Sequence, residues 1–149
     1  MWVLSCPQQF CKEVDATLAK FCVSGNWRSQ PLMSGCFQVQ IECDLSQSAA
    51  SELVACLASM RVIAEVETRG EEAERHLVHP GLGVHRQAID SMGEPVLRVS
   101  QVASILARSG GNLAEFERLM RLSTGQAWLD LVDPLRISSE GVTYLPRAV

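Results

Sequence analysis

The chain has 149 residues, of which 47% are apolar and 20% charged, and this composition is typical of a globular domain rather than a disordered or fibrous chain. Its formal net charge of -4 excludes nucleic acid as a partner, because nucleic-acid-binding domains usually carry a clustered basic surface. No apolar run approaches the roughly 20 residues that cross a bilayer, and residues 1–6 lack the basic start of a signal peptide. We therefore expect a cytoplasmic protein without a membrane partner.

The amino-terminal part predicts a strand followed by a helix. Residues 1–6 are apolar and end at Pro7, which suits the first turn of a helix because it has no N–H to satisfy. From Phe10 onward apolar residues recur at helical spacing. A break at residues 24–26 follows, and then a short extended piece around Trp27.

Residues 36–44 form the clearest predicted strand, because apolar and polar residues alternate along it. This alternation predicts an antiparallel sheet that is covered on one face only. Ser46 then caps a helix, and residues 61–68 form another strand. If Trp27 lies on a strand, the order is β-α-β-β-α-β, which is the ferredoxin-like arrangement of an α+β protein.

Residues 76–79 and 84–90 are predicted to be the arms of a hairpin that extends the sheet, with its turn at residues 80–83. The remainder is predicted to be helical. Ser100 and Asn112 are expected to cap two helices, and a third follows Gly125 and is limited by Pro134. We expect one domain over residues 1–149, with parts at residues 1–70, 71–99 and 100–149.

Cysteines are concentrated at the start of the chain, at Cys6, Cys11, Cys22, Cys36, Cys43 and Cys56. An even number suggests disulfides in a small secreted protein, but a chain of this length does not need them. No C-x-x-C pair is present to indicate a zinc ribbon or a thioredoxin site. We expect structural thiols, with a metal or redox role as the alternative.

Three histidines, His76, His79 and His85, suggest metal or acid–base chemistry. On a strand, His76 and His79 point to opposite faces and cannot bind one ion. His79 and His85 could approach across the hairpin, with Glu74 or Asp90 as an oxygen ligand, if the register allowed it. We predict polar residues on a solvated sheet face and no metal site, with metal binding as the weaker alternative.

Motifs of known cofactor sites and nucleophiles are not found in the sequence. Residues 81–83 lack the third glycine of a dinucleotide site, and no phosphate loop or G-x-S-x-G elbow is present. Cys22, which precedes Val23, Ser24 and Gly25, has no histidine nearby that could activate it as a nucleophile. We therefore predict no cofactor and no catalytic residue, which favours a protein that is not an enzyme and leaves an enzyme as the alternative.

Two tryptophans are candidates for a binding surface. Trp27 is flanked by polar residues and could be an exposed anchor for a partner, although tryptophans more often pack in cores. In a competing interpretation, a pocket between the sheet and the carboxyl-terminal helices binds a small molecule or acyl group. Its predicted lining residues are Trp27, His79, His85 and Trp128.

Several short stretches together resemble an uncharacterised actinobacterial family. They are PQQFCKEV at residues 7–14, HPGLG at 79–83, GQAW at 125–128 and DPL at 133–135. Members of that family show a Cys-Pro-His-Val-Glu-Trp run, a Pro-x-Leu-Gly turn, and Gly-Thr-Ala-Trp before Glu-Pro-Tyr. Lys12 and Asp15 stand here in place of the histidine and tryptophan, so a family site that used that histidine would be absent.

The resemblance implies a cytoplasmic actinobacterial protein of unknown function, encoded in some members near genes of type II fatty-acid synthesis. That neighbourhood suggests an accessory or regulatory role toward enzymes that use acyl-carrier protein. The main hypothesis is a non-enzymatic interaction or regulatory module with a protein partner, a homodimer being one form of assembly. It rests on the lack of a convergent catalytic constellation in the sequence and on the expected half-solvated sheet with an apolar helical carboxyl-terminal part. The alternative is a small-molecule or acyl-group binding protein or an enzyme.

Overall fold

The computed structural model describes residues 2–21, 26–31, 36–42 and 45–140. These residues form an α+β fold, which confirms the predicted class, and none of their helices is long and apolar enough to cross a membrane. The elements are β1 (Trp2–Pro7), a 3-10 turn (Gln8–Phe10), α1 (Cys11–Phe21), β2 (Asn26–Pro31), β3 (Cys36–Glu42), α2 (Gln47–Ser59), β4 (Ile63–Glu67), β5 (Glu74–His79), β6 (Gly83–Ala88), α3 (Val99–Ser109), α4 (Leu113–Ser123) and α5 (Gln126–Glu140).

The strands form one sheet in the order β2-β3-β1-β4-β5-β6, with every neighbouring pair antiparallel. β5 and β6 form the hairpin expected from the sequence, and its register places Leu77 opposite His85 and His79 opposite Gly83. A strand does pass through Trp27, which pairs with Ile41 of β3. The edges of the sheet are therefore β2 at one side and β6 at the other.

Helices α1 and α2 cover one face of the sheet, which is called the first face below. Val14 and Leu18 of α1 are four residues apart, so both point inward from one side of the helix. Leu53 and Leu57 have the same spacing on α2 and are fully buried. They pack with Val78 and other apolar residues of the strands in one core cluster. Burial of these side chains supplies most of the driving force for this layer.

Helix α5 covers the opposite, second face of the sheet at β1 and β5. Three consecutive residues are buried in each of two strands, at 64–66 in β4 and at 76–78 in β5. Consecutive residues point to opposite faces, so both faces are covered there. Val132 of α5 is fully buried. The prediction of a sheet covered on one face is wrong for these strands, because it extended the alternation along residues 36–44 to the whole sheet, whereas the polar Glu65 and His76 are buried as well.

Two predicted helix caps are confirmed. Ser46 Oγ accepts the backbone N–H of Ala49 at 3.2 Å, and Asn112 Oδ1 accepts that of Glu115 at 3.1 Å. Each bond satisfies one of the first amides of its helix, which have no partner within the helix itself. The short polar side chains therefore fix where α2 and α4 begin.

Three predicted boundaries are wrong. Pro7 is the last residue of β1, opposite Cys36, and is not in a helix. α3 is preceded by Arg98 rather than Ser100 as its cap, and the Gln101 side chain accepts the Arg98 N–H at 2.8 Å. α5 continues through Pro134, which is exposed, so the carbonyl that loses its helical donor can be hydrated.

Some predictions stay open. The strand expected at residues 36–44 is observed as Cys36–Glu42, and residues 43–44 lie outside the described residues. Cys22 also lies outside them, as does the end of the third predicted part beyond residue 140. The division into parts at residues 1–70, 71–99 and 100–149 stays a prediction.

The variant Leu53→Ala should lower the free energy of unfolding by about 2–5 kcal/mol, because it removes buried methyl groups and leaves a cavity under α2. The matched control is Leu113→Ala, since Leu113 is 77% exposed and the same truncation there should cost about 0.5 kcal/mol or less. Urea unfolding followed by circular dichroism measures both. Equal losses in the two variants would contradict the assigned core.

Candidate functional site

The start of α5 meets the β5–β6 hairpin on the second face of the sheet. The rings of Trp128 and His85 are stacked at a tilt of 33°, with their centroids 4.8 Å apart. Trp128 Nε1 donates a hydrogen bond to the Gly83 carbonyl oxygen at 3.3 Å. Two stretches singled out in the sequence, HPGLG at residues 79–83 and GQAW at 125–128, are thereby joined in one contact, which we call the hairpin junction.

Gly125 allows this close approach. Its φ of +75° lies in the left-handed region, where a side chain is strained. A Cβ at this position would come within 2.5 Å of His85 Cδ2 and 3.4 Å of Leu77 Cδ1. The His85 ring cannot easily move aside because it is stacked on Trp128. The hairpin junction therefore requires glycine for both its backbone conformation and its lack of a side chain.

His85 is held as a neutral ring in the hairpin junction. Burial lowers the pKa of His85, and a side-chain hydrogen bond with Gln87 opposes this shift only in part. Its Nε2 atom is buried and has no hydrogen-bond partner within the described part of the chain. This ring acts mainly as an aromatic packing surface, because Gly125 and Trp128 occupy the space where a ligand would contact it.

The four residues predicted to share a pocket are not brought together. His79 lies on the same face as His85 but is not its cross-strand neighbour, and its Nδ1 accepts the Gly81 N–H at 3.1 Å within the hairpin turn. Trp27 lies on β2, at the opposite edge of the sheet from His85 on β6. With strands about 4.8 Å apart, these edges are separated by about 24 Å. Only His85 and Trp128 form a common site.

A second cluster, on the first face of the hairpin, was not found from the sequence. Arg86 Nε and Nη2 each lie 2.7 Å from an oxygen of Glu74, which makes a bidentate ion pair. The buried His76 places its Nε2 3.5 Å from Glu74 Oε2. Only the strand register could have revealed this cluster. Arg86 is the cross-strand neighbour of His76, and Glu74 lies two residues before His76 on the same face of β5.

Burial and charge act in opposite directions within this cluster. Burial lowers the pKa of His76, and the attraction of Glu74 does not reverse the shift. Burial also disfavours the charged form of Glu74, but the hydrogen bond and charge of Arg86 outweigh it, so the pKa of Glu74 is lowered. At neutral pH the cluster is therefore an ion pair beside a neutral imidazole.

Carboxylates on the second face are also paired. Arg75 lies 3.0 Å from Glu65 and 2.7 Å from Glu67, measured between nitrogen and oxygen atoms. Both Glu65 and Arg75 are largely shielded from water, so pairing offsets the cost of their burial.

Within the described ranges no group of three histidine, cysteine or acidic side chains could hold a metal ion. His76 faces α2, whereas His79 and His85 lie on the opposite face.

Residues 1–147 match the family model described as a protein of unknown function, DUF3145, and the chain belongs to that family. This result confirms the resemblance to a family of unknown function. No curated protein matches the chain, and no solved structure matches it.

The variant Gly125→Ala should destabilise the protein through two effects. The left-handed backbone conformation costs about 1–2 kcal/mol for alanine, and the overlap with His85 adds about 1–3 kcal/mol. Gly111→Ala is the matched control, because Gly111 has a φ of +81° and open space where its Cβ would lie. Urea unfolding measures the difference between the variants. Equal losses would show that α5 does not press on His85.

The free energy of unfolding should fall as the pH is lowered below about 6.5, the ordinary histidine pKa. His76 and His85 have lowered pKa values in the folded protein, so the unfolded chain takes up protons first. The stability of the neutral rings is present above that pH and is lost below it. Glu74 acts in a separate window below pH 4.5, because its own pKa is lowered.

Urea unfolding at pH values between about 8 and 5.5, a range that includes the ordinary histidine pKa, measures this dependence of stability on pH. The variant His85→Phe keeps an aromatic ring beside Trp128 but cannot titrate, so its stability should depend less steeply on pH than that of the wild type. An unchanged slope in this variant, or greater stability of the wild type at the lower pH, would contradict the burial of His85.

Proposed function

We propose that this member of the DUF3145 family is a non-enzymatic interaction module that binds a protein partner through the outward side of α3. The observation that carries the proposal is an exposed apolar stripe on that helix. Val99 is 87% exposed and Leu106 is 58% exposed. They are seven residues apart, which is two helical turns, so they share one side of α3.

The apolar surface extends beyond these two residues. Exposed Ala103 lies between them on the same side of α3. We call Val99, Ala103 and Leu106 the α3 stripe. The side of α3 that packs inward is a different one and carries the buried Ile105 and Ser109. An ordinary surface helix would be polar on its outward side.

Exposure of the α3 stripe is unfavourable unless a partner covers it, because moving a large apolar side chain out of water lowers the free energy. Contiguous exposed apolar surface is a common mark of protein interfaces. Among the other exposed positions of α3, four are polar and one is apolar; they are Ser100, Gln101, Ser104 and Arg108, and Ala107. This arrangement of an apolar strip beside polar residues favours a helical docking surface.

The hairpin clusters favour a role in packing rather than in catalysis. The carboxylates of Glu74 and Glu65 are paired with arginines, and the His85 ring is stacked on Trp128. The same packing counts against a ligand pocket at the hairpin junction, where Gly125 contacts His85 directly. A partner in fatty-acid synthesis, an actinobacterial source and a cytoplasmic location belong to this proposal through the family resemblance alone.

We also infer a ferredoxin-like arrangement for the first four strands and two helices. The order β1-α1-β2-β3-α2-β4 supports it, as does the sheet order β2-β3-β1-β4 with all neighbours antiparallel. The α3 stripe lies outside this unit and follows the hairpin in the chain.

The variant Leu106→Glu should abolish the complex, because it places a charge within the α3 stripe. Native mass spectrometry of tagged protein purified from its host measures the mass and stoichiometry of the complex. The matched control is Ser104→Glu, which adds the same charge on the polar side of α3 and should leave the complex intact. Thermal unfolding checks that both variants stay folded.

The proposal fails if the wild-type protein is a monomer without a stoichiometric protein partner. It also fails if the complex survives Val99→Glu and Leu106→Glu together. A retained small molecule in place of a protein partner would favour the ligand-binding alternative.

A further inference from the structure

Cys6 and Cys11 form a close pair of thiols where β1 passes into α1. Their Sγ atoms are 3.8 Å apart, and neither is in a disulfide. Both thiols lie within hydrogen-bonding distance of the Pro7 carbonyl oxygen, at 3.5 Å for Cys6 and 3.7 Å for Cys11. One backbone oxygen therefore holds the two thiols side by side.

The local fold explains this approach. Cys6 is at the end of β1, and Pro7 and the 3-10 turn Gln8–Phe10 reverse the chain so that Cys11 becomes the first residue of α1. Val14 and Leu18 fix α1 in the core on the first face of the sheet. The two sulfur atoms are thus positioned by rigid elements rather than by a loose loop. A disulfide needs the sulfurs to approach to about 2 Å, which is a shift of about 1.8 Å.

The two thiols differ in access to solvent. Cys6 is 1% exposed, whereas Cys11 is only partly buried. A reagent in solution therefore reaches Cys11 before Cys6. This division between an accessible thiol and a buried neighbour is the arrangement of an attacking cysteine and a resolving cysteine.

We propose that Cys6 and Cys11 are a reversible redox site that exchanges with low-molecular-weight disulfides. The Cys11 thiolate attacks one sulfur of the small disulfide, forms a mixed disulfide and releases one small thiolate. The Cys6 thiolate then attacks the Cys11 sulfur, forms the Cys6–Cys11 disulfide and releases the second small thiolate. The two protons of the cysteines pass to the released thiolates, so the protein is oxidised and the small disulfide is reduced to two thiols.

The sequence makes this proposal easy to test by peptide mapping. Trypsin cleaves after Lys12, so Cys6 and Cys11 fall together in the peptide of residues 1–12. Cys22 falls in residues 21–28, and the remaining cysteines, Cys36, Cys43 and Cys56, fall in residues 29–61. The pair is therefore separated from every other thiol of the chain by a single digestion.

The folded protein is incubated with oxidised glutathione, alkylated with iodoacetamide and digested. We expect peptide 1–12 to be lighter by two hydrogen atoms and to carry no alkyl group, and to regain both thiols after dithiothreitol. Double alkylation of this peptide under those conditions, or a glutathione adduct that remains on Cys11, would overturn the proposal.

Variants test the order of the two steps. Cys6→Ser should trap glutathione on Cys11, because the resolving thiol is gone, and Cys11→Ser should leave the buried Cys6 without an adduct. Cys56→Ser, on α2, is the matched control and should form the Cys6–Cys11 disulfide as the wild type does. Failure to trap an adduct in Cys6→Ser, with wild-type thermal stability, contradicts Cys11 as the attacking thiol.

Discussion

The close approach of Gly125 to His85 is the constraint on which the second layer of the fold depends. Because Gly125 has no side chain, the start of α5 can lie directly on the hairpin, and Trp128 can stack on His85 and donate to the Gly83 carbonyl. α5 then covers the second face of the sheet, and its own residue Val132 is fully buried there. A larger residue at position 125 would lift the helix from the strands.

Covering both faces of β5 explains the polar groups inside the protein. Glu65 is removed from water and is paired with Arg75, and the buried Gln87 side chain donates to the Val96 carbonyl at 2.8 Å. Such groups are tolerated when each is paired, since burial without a partner is costly. With α5 on the sheet, α3 packs mainly on α4, and one of its apolar sides remains in water.

The features that the sequence predicted correctly depend on neighbouring residues in the chain. The hairpin turn and the caps at Ser46 and Asn112 are of this kind. The Glu74–Arg86 ion pair and the covered second face depend instead on strand register and on packing between distant elements. The prediction that Pro134 limits the last helix was wrong for a related reason. A proline ends a helix unless solvent can satisfy the carbonyl that it leaves without a donor, and this depends on exposure in the folded protein.

We expect α5 and the sheet to open as one cooperative unit, because the hairpin junction joins them. Native-state hydrogen exchange tests it most directly, by comparing the opening free energy at the amides of Leu77 in β5 and Val132 in α5. One cooperative unit predicts the same opening free energy at both amides, changing together as denaturant is added. A lower opening free energy at the Val132 amide, while the Leu77 amide stays protected, would contradict this expectation.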